Sequence, residues 1–223
     1  LDEYKGGKKI EYTLEEVTVP GYTTSITKSS NGYVVTNSHT PETTEVSGKK
    51  TWNDKEDQDG KRPKEITINL YADGVKKDSK KVTASENWSW KFDNLAKYAK
   101  GQLINYTITE DVVKDYTSDV SGYNVTNTYT PGKTSVSVEK VWNDKEDQDG
   151  KRPGSVTVKL LADKVDTGKT LELNSTNQWK GSFEDLDEYK GGKKIEYTLE
   201  EVTVSGYTTS ITKSSNGYVV TNS

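Results

Sequence analysis

Residues 1–38, LDEYKGGKKIEYTLEEVTVPGYTTSITKSSNGYVVTNS, return as residues 186–223 with a single change, Pro20 against Ser205. A repeat this faithful restricts the chain to an array of similar units, each burying its own core or stacking on its neighbours. A weaker repeat lies inside the longer one. WNDKEDQDGKRP at 52–63 recurs letter for letter at 142–153, and IEYTLEEV at 195–202 resembles INYTITED at 104–111. Each long period therefore holds two related modules.

The segments HTPETTE (39–45) and TPGKT (130–134) are short and polar, and each carries a proline, which suits linkers because proline cannot continue a strand ladder. The expected organisation is the C-terminal half of a module at 1–38, a linker at 39–44, a complete module at 45–130, a linker at 131–133 and a second complete module at 134–223. The chain opens on Leu1 and not on methionine, which reads as an excerpt of a longer protein.

Period-two alternation recurs along both modules, in VSVEKVW (136–142), ITINLYA (66–72), VTVKLLA (156–162), WSWKF (88–92), YTITE (106–110), YTLEE (197–201) and YNVTN (123–127). These segments read as strands, bounded by Gly, Asn, Asp and Pro clusters that read as turns. No stretch carries a capped helical stripe. About seven short strands in a module of nearly 90 residues predict an all-β sandwich.

Composition closes several functional classes. With no cysteine there are no disulfides, thiolate nucleophiles or thiolate metal sites, and a single histidine, His39, leaves no histidine-rich metal centre. A net charge of −4, from 31 basic and 35 acidic side chains, offers no basic stripe for nucleic acid. No apolar run approaches the roughly 18 residues of a membrane span. No cofactor or metal is expected. The acidic loop DKEDQDG invites a calcium reading, but aligned on its glycine an EF-hand would need ligands at Lys55 and Ile66, so a polar turn accounts for it better. The Asn-X-Ser/Thr triplets at Asn87, Asn105, Asn124 and Asn174 read as chance, and the aromatics as core.

Alternation also assigns faces, and three residues fall on the wrong one. Lys140 shares parity with Val136, Val138 and Trp142, as Lys50 does with Val46, Gly48 and Trp52. Glu110 sides with Tyr106 and Ile108, and Glu201 with Tyr197 and Leu199. Asn127 sides with Tyr123 and Val125, and Asn222 with Tyr218 and Val220. Each module thus aims one lysine, one glutamate and one asparagine at its core. One reading is a buried ion pair with the asparagine as a hydrogen-bonding filler. The other is chemical. Burial moves a lysine pKa down to about 5–6 and a glutamate pKa up to about 8–9, which turns the pair into a neutral amine and a carboxylic acid. A neutral amine attacks a carboxamide that the acid polarises, and loss of ammonia leaves an isopeptide bond.

The Lys-x-Trp of EKVW, the WNDKEDQDGKRP that follows, the YTxxE strand and the terminal VTN before a TP linker together resemble the Cna B-type domains of Gram-positive surface adhesins. The resemblance spans the whole chain, and the paired modules are similar to the B-repeat unit of collagen adhesins. It implies tandem reverse immunoglobulin-like sandwiches and self-generated Lys–Asn isopeptide bonds assisted by an acid. It also implies a stalk that holds a separate ligand-binding region away from the cell wall, and thus an extracellular, cell-wall-anchored location. On this sequence the implied bonds join Lys50 to Asn127 with Glu110 assisting, and Lys140 to Asn222 with Glu201 assisting. The leading half-module keeps Glu16 and Asn37 without a lysine strand, so either a missing front half or another copy of the chain would complete it. A second functional expectation is that the modules themselves bind a host matrix protein or self-associate. A pilin-like polymer subunit would need a sorting signal, and no LPxTG-type sequence occurs. The only partners otherwise expected are the neighbouring repeats, and the bond-forming step would be single-turnover chemistry, not enzymatic turnover.

Overall fold

A computed structural model describes residues 1–223. The alternating segments become strands because an apolar side chain at every second position gives each strand one face to bury. The first complete module contains β1 (Thr43–Asn53), β2 (Glu65–Ala72), β3 (Val75–Thr83), β4 (Ser89–Ala96), β5 (Tyr106–Glu110), β6 (Thr117–Ser121) and β7 (Asn124–Thr128). The second contains β8 (Lys133–Trp142), β9 (Ser155–Ala162), β10 (Val165–Asn174), β11 (Lys180–Asp187), β12 (Tyr197–Glu201), β13 (Thr209–Lys213) and β14 (Gly217–Asn222).

Each module packs a four-stranded sheet on a three-stranded one. The orders are β6-β7-β1-β4 and β5-β2-β3 in the first, and β13-β14-β8-β11 and β12-β9-β10 in the second. The first and last strands of a module are parallel neighbours, β1 beside β7 and β8 beside β14, whereas the other pairings are antiparallel. Between the sheets lie Val46, Ile66, Ile68, Leu70, Phe92 and Val125 in one module and Val138, Val158, Leu160, Leu173, Phe183 and Val220 in the other. The architecture is therefore all-β, a tandem of reverse immunoglobulin-like sandwiches.

Two differences from the sequence reading have simple causes. The edge strands β3 and β10 do not alternate, because charged residues such as Lys76, Lys77 and Lys81 keep an outer edge soluble and blunt it against further pairing. Strand β1 starts at Thr43, inside the segment read as a linker, because Thr43 and Thr44 pair with Ala96 and Leu95 ahead of a bulge.

The leading copy behaves differently. YTLEE is strand β12 at 197–201, where it pairs with β9, but at 12–16 the identical sequence is irregular. A strand needs a neighbour to take its backbone hydrogen bonds, and no strand pairs with residues 12–16. Only the hairpin of Thr23–Ser29 with Gly32–Ser38 and a small turn at Tyr4–Lys9 remain. Leu14 is 54% exposed, against 9% for its equivalent Leu199.

The two complete modules meet at a joint built by the acidic loop of the first. The Asp59 carboxylate accepts hydrogen bonds from the Tyr129 hydroxyl at 2.9 Å and the Gly132 amide at 2.8 Å. The Gly192 amide of the second module donates to the Gln58 carbonyl at 3.0 Å. A Cβ on Gly60 would lie 2.6 Å from the Gly192 Cα, so Gly60 cannot carry a side chain, and Gly192 sits at a left-handed φ of 75° that favours glycine. The identical loop at 144–150 has no such neighbour, and Asp149 is exposed.

Candidate functional site

Parallel pairing of the terminal strands sets the site. Lys50 on β1 lies opposite Val125, and Asn127 on β7 lies opposite Trp52, so lysine and asparagine are two residues apart on adjoining strands and on one face. In the second module Lys140 lies opposite Val220, and Asn222 opposite Trp142, which is the same offset. Strand spacing and rise put the two Cα atoms about 8 Å apart, a span that an extended lysine side chain covers. The strands come close because each pair has a glycine at a tight point. A Cβ on Gly48 would lie 1.7 Å from the Tyr123 carbonyl oxygen, and one on Gly217 would lie 1.9 Å from that of Ser137.

The acid comes from the opposite sheet. Glu110 ends β5 and reaches across the sandwich to place Oε1 2.6 Å from the Lys50 Nζ. Glu201 ends β12 and lies 3.0 Å from the Lys140 Nζ. All four of these side chains are sealed from solvent, with at most 1% of any of them exposed. Burial holds both lysine amines below their ordinary range, and the neighbouring glutamate, hydrogen-bonded to Lys50 and within ion-pair distance of Lys140, only partly offsets it. Asn127 and Asn222 are 0% exposed. Their Nδ2 and Oδ1 atoms have no hydrogen-bond partner.

The leading copy supplies a comparison within the same chain. Without a lysine strand, the Asn37 Nδ2 donates to the Glu16 Oε1 at 3.0 Å, and the Asn37 Oδ1 lies 2.9 Å from the Thr24 Oγ1. The structure thus brings together Lys50, Glu110 and Asn127, then Lys140, Glu201 and Asn222, and, without a lysine, Glu16 and Asn37.

Two parts of the site lay outside the sequence reading. The second oxygen of each glutamate accepts a hydroxyl: Ser118 donates to Glu110 at 3.0 Å, Thr209 to Glu201 at 2.6 Å and Thr24 to Glu16 at 2.6 Å. In addition, the loop read as a polar turn is an organised support. Arg62 grips Asp54 with two hydrogen bonds of 3.0 and 2.6 Å, and the Tyr116 hydroxyl adds a third at 2.8 Å. Burial raises the Asp54 pKa, but Arg62, the Asp57 amide and Tyr116 outweigh it and hold the carboxyl below its usual range. Arg152, Asp144 and Tyr207 repeat the arrangement. Trp52 and Trp142 cover the lysines, with Nζ 4.8 and 4.4 Å from the ring centroids. The recurrence of Asp and Arg eight residues apart in WNDKEDQDGKRP was the available signal.

Fold and site define a class: a tandem-repeat β-sandwich protein whose modules each enclose a lysine, an acid and an asparagine. The family model for the Cna protein B-type domain matches residues 1–38, 46–128 and 136–223, and the chain belongs to this family. It is 49% identical over 226 residues to a collagen adhesin of Staphylococcus aureus, an alignment covering 100% of this chain and 19% of that protein. It is also similar to the crystal structure of two B repeat units of the S. aureus collagen binding protein, with 46% identity and a TM-score of 0.56. That match covers 100% of this chain and 61% of the other.

Proposed function

We propose that the chain is part of the stalk of a cell-wall-anchored Gram-positive adhesin, outside the cell, and that its modules are locked by Lys50–Asn127 and Lys140–Asn222 isopeptide bonds. The observation that carries this reading is the pair of fully buried carboxamides, Asn127 and Asn222, with neither nitrogen nor oxygen paired. Leaving such a group unsatisfied costs about 1–3 kcal/mol, a penalty that an ordinary polar filler avoids by bonding, as Asn37 does. A carboxamide placed to be consumed by the neighbouring amine has a different reason to be there.

The chemistry follows from the geometry. A proton passes from the Lys Nζ to the Glu carboxylate, leaving an amine and an acid. The amine attacks the Asn Cγ, the acid gives its proton to the departing Nδ2, the resulting carboxylate takes the surplus proton from the attacking nitrogen, and ammonia leaves as the new C–N bond forms. Glu110 and Glu201 are the proton shuttles, and each module reacts once. With Lys50 on the first strand and Asn127 on the last, tension applied at the module ends passes through the bond and bypasses residues 51–126. The neighbouring repeats then act as links in series. The exposed apolar face of residues 1–38 would be covered by a front half-module, supplied by preceding chain or by a second copy.

Intact mass tests the reading. The chain should be lighter than its sequence by one ammonia for each complete module, and Glu110→Ala with Glu201→Ala should restore the full mass. A full-mass, folded wild-type chain would refute it.

A further inference from the structure

Each asparagine faces a hydroxyl residue on the penultimate strand: Ser118 opposite Asn127, Thr209 opposite Asn222, and Thr24 opposite Asn37. In all three copies that hydroxyl donates to Oε2 of the glutamate, whose Oε1 lies against the lysine or, in the leading copy, against the Asn37 amide. We propose that Ser118 and Thr209 are positioning residues for bond formation, pinning the carboxyl of Glu110 and Glu201 so that one oxygen stays on the amine. This rests on the isopeptide reading above.

The physical need is specific. The terminal torsion of a glutamate is broad and nearly two-fold, so a carboxyl reaching across a sandwich is free to turn about its last bond. A shuttle must accept the amine's proton and return one to the departing nitrogen without turning away between the steps. A hydroxyl holding the far oxygen removes that freedom while itself neither gaining nor losing a proton overall. The lysine–asparagine C–N bond forms, the asparagine Cγ–Nδ2 bond breaks, and the proton lost by the amine leaves on ammonia. The leading copy shows how near the hydroxyl stands to the reacting group, since the Thr24 Oγ1 also lies 2.9 Å from the Asn37 Oδ1.

A packing role explains the arrangement less well. Ser118 and Thr209 are both exposed residues on strands with little buried surface, so truncation removes few apolar contacts. The hydrogen bond that each of these hydroxyls makes goes to the acid.

The test uses the full chain, recovered unfolded and unlinked in denaturant, refolded by dilution over a range of pH, quenched at intervals and weighed intact. Circular dichroism follows folding separately. Ser118→Ala with Thr209→Val should fold like the wild type yet lose ammonia at least about tenfold more slowly, a fraction of the roughly 10²–10⁴-fold that a positioned acid–base group contributes. The pH profile of the rate should shift with it. The exchange Ser118→Thr with Thr209→Ser, which keeps both hydroxyls, should restore rate and profile. Linking at the wild-type rate in the hydroxyl-free variant would overturn the proposal, as would a slow exchange variant or loss of the fold. Glu110→Ala with Glu201→Ala runs in parallel. If the wild type itself never loses ammonia, the isopeptide reading fails; if the wild type links, the glutamate variant does not and the hydroxyl-free variant keeps pace, only the positioning role fails.

Discussion

Replacing Asn127 and Asn222 together by alanine separates the two readings of the core by the size of the effect. Both lysine–glutamate pairs survive the change, because their contacts at 2.6 and 3.0 Å do not involve the asparagines. If the asparagines are fillers, the substitution relieves an unpaired carboxamide worth about 1–3 kcal/mol and opens a small cavity of comparable cost, so stability hardly moves. If they are linked, the variant loses a cross-link closing a loop of about 80 residues, worth about 4–5 kcal/mol by the chain-entropy estimate used for disulfides. In modules of this size that corresponds to a fall in Tm of about 20–35 °C. Differential scanning calorimetry of the full chain reads both modules in one scan, and intact mass of the same sample reports the link. A Tm within about 8 °C of wild type would refute the argument.

Two further outcomes concern the supports around the site. Arg62→Ala leaves the buried Asp54 without its main partner and should destabilise the first module by about 3–5 kcal/mol in denaturant unfolding. Because the folded pKa of Asp54 lies below its unfolded value, its contribution is complete above the unfolded carboxylate pKa and is lost as pH falls through the folded one. The acid-unfolding midpoint of the variant should therefore move to higher pH. At the joint, the hydrogen bond to Asp59, together with burial and nearby carboxylates, pushes Tyr129 up to about 12. Asp59→Ala should return Tyr129 toward the ordinary tyrosine range, read by phenolate absorbance against a Tyr129→Phe control; an unmoved titration would refute the contact.

Much of the site was legible because alternation is a strict rule wherever one face is buried. Lys50, Glu110 and Asn127 share parity with valine, isoleucine and tyrosine neighbours, and a one-residue slip would have put those large side chains in solvent. The hydroxyl partners were not legible. β6 reads TSDVS and is exposed throughout, so no parity marks Ser118, and its partner Glu110 comes from the other sheet. The Asp54–Arg62 grip escaped for a similar reason. It depends on Lys55, Glu56 and Asp57 at φ of 51, 58 and 60°, a left-handed turn that residue preferences do not favour for lysine and glutamate.

The identical YTLEE segments mark the physical boundary of such reading. At 197–201 the segment is a strand that seals Glu201 in the core; at 12–16 it is irregular, with Glu16 half-buried and Leu14 in solvent. Side-chain pattern specifies which face a strand would bury, but the ladder that makes it a strand belongs to β9. What the leading copy does retain is informative: Glu16, Thr24 and Asn37 still find one another through their side chains. The acid, hydroxyl and amide therefore assemble from the C-terminal half of a module alone. The lysine strand then adds two things that half cannot provide, an amine beside the acid and the exclusion of water that holds this amine below its ordinary range.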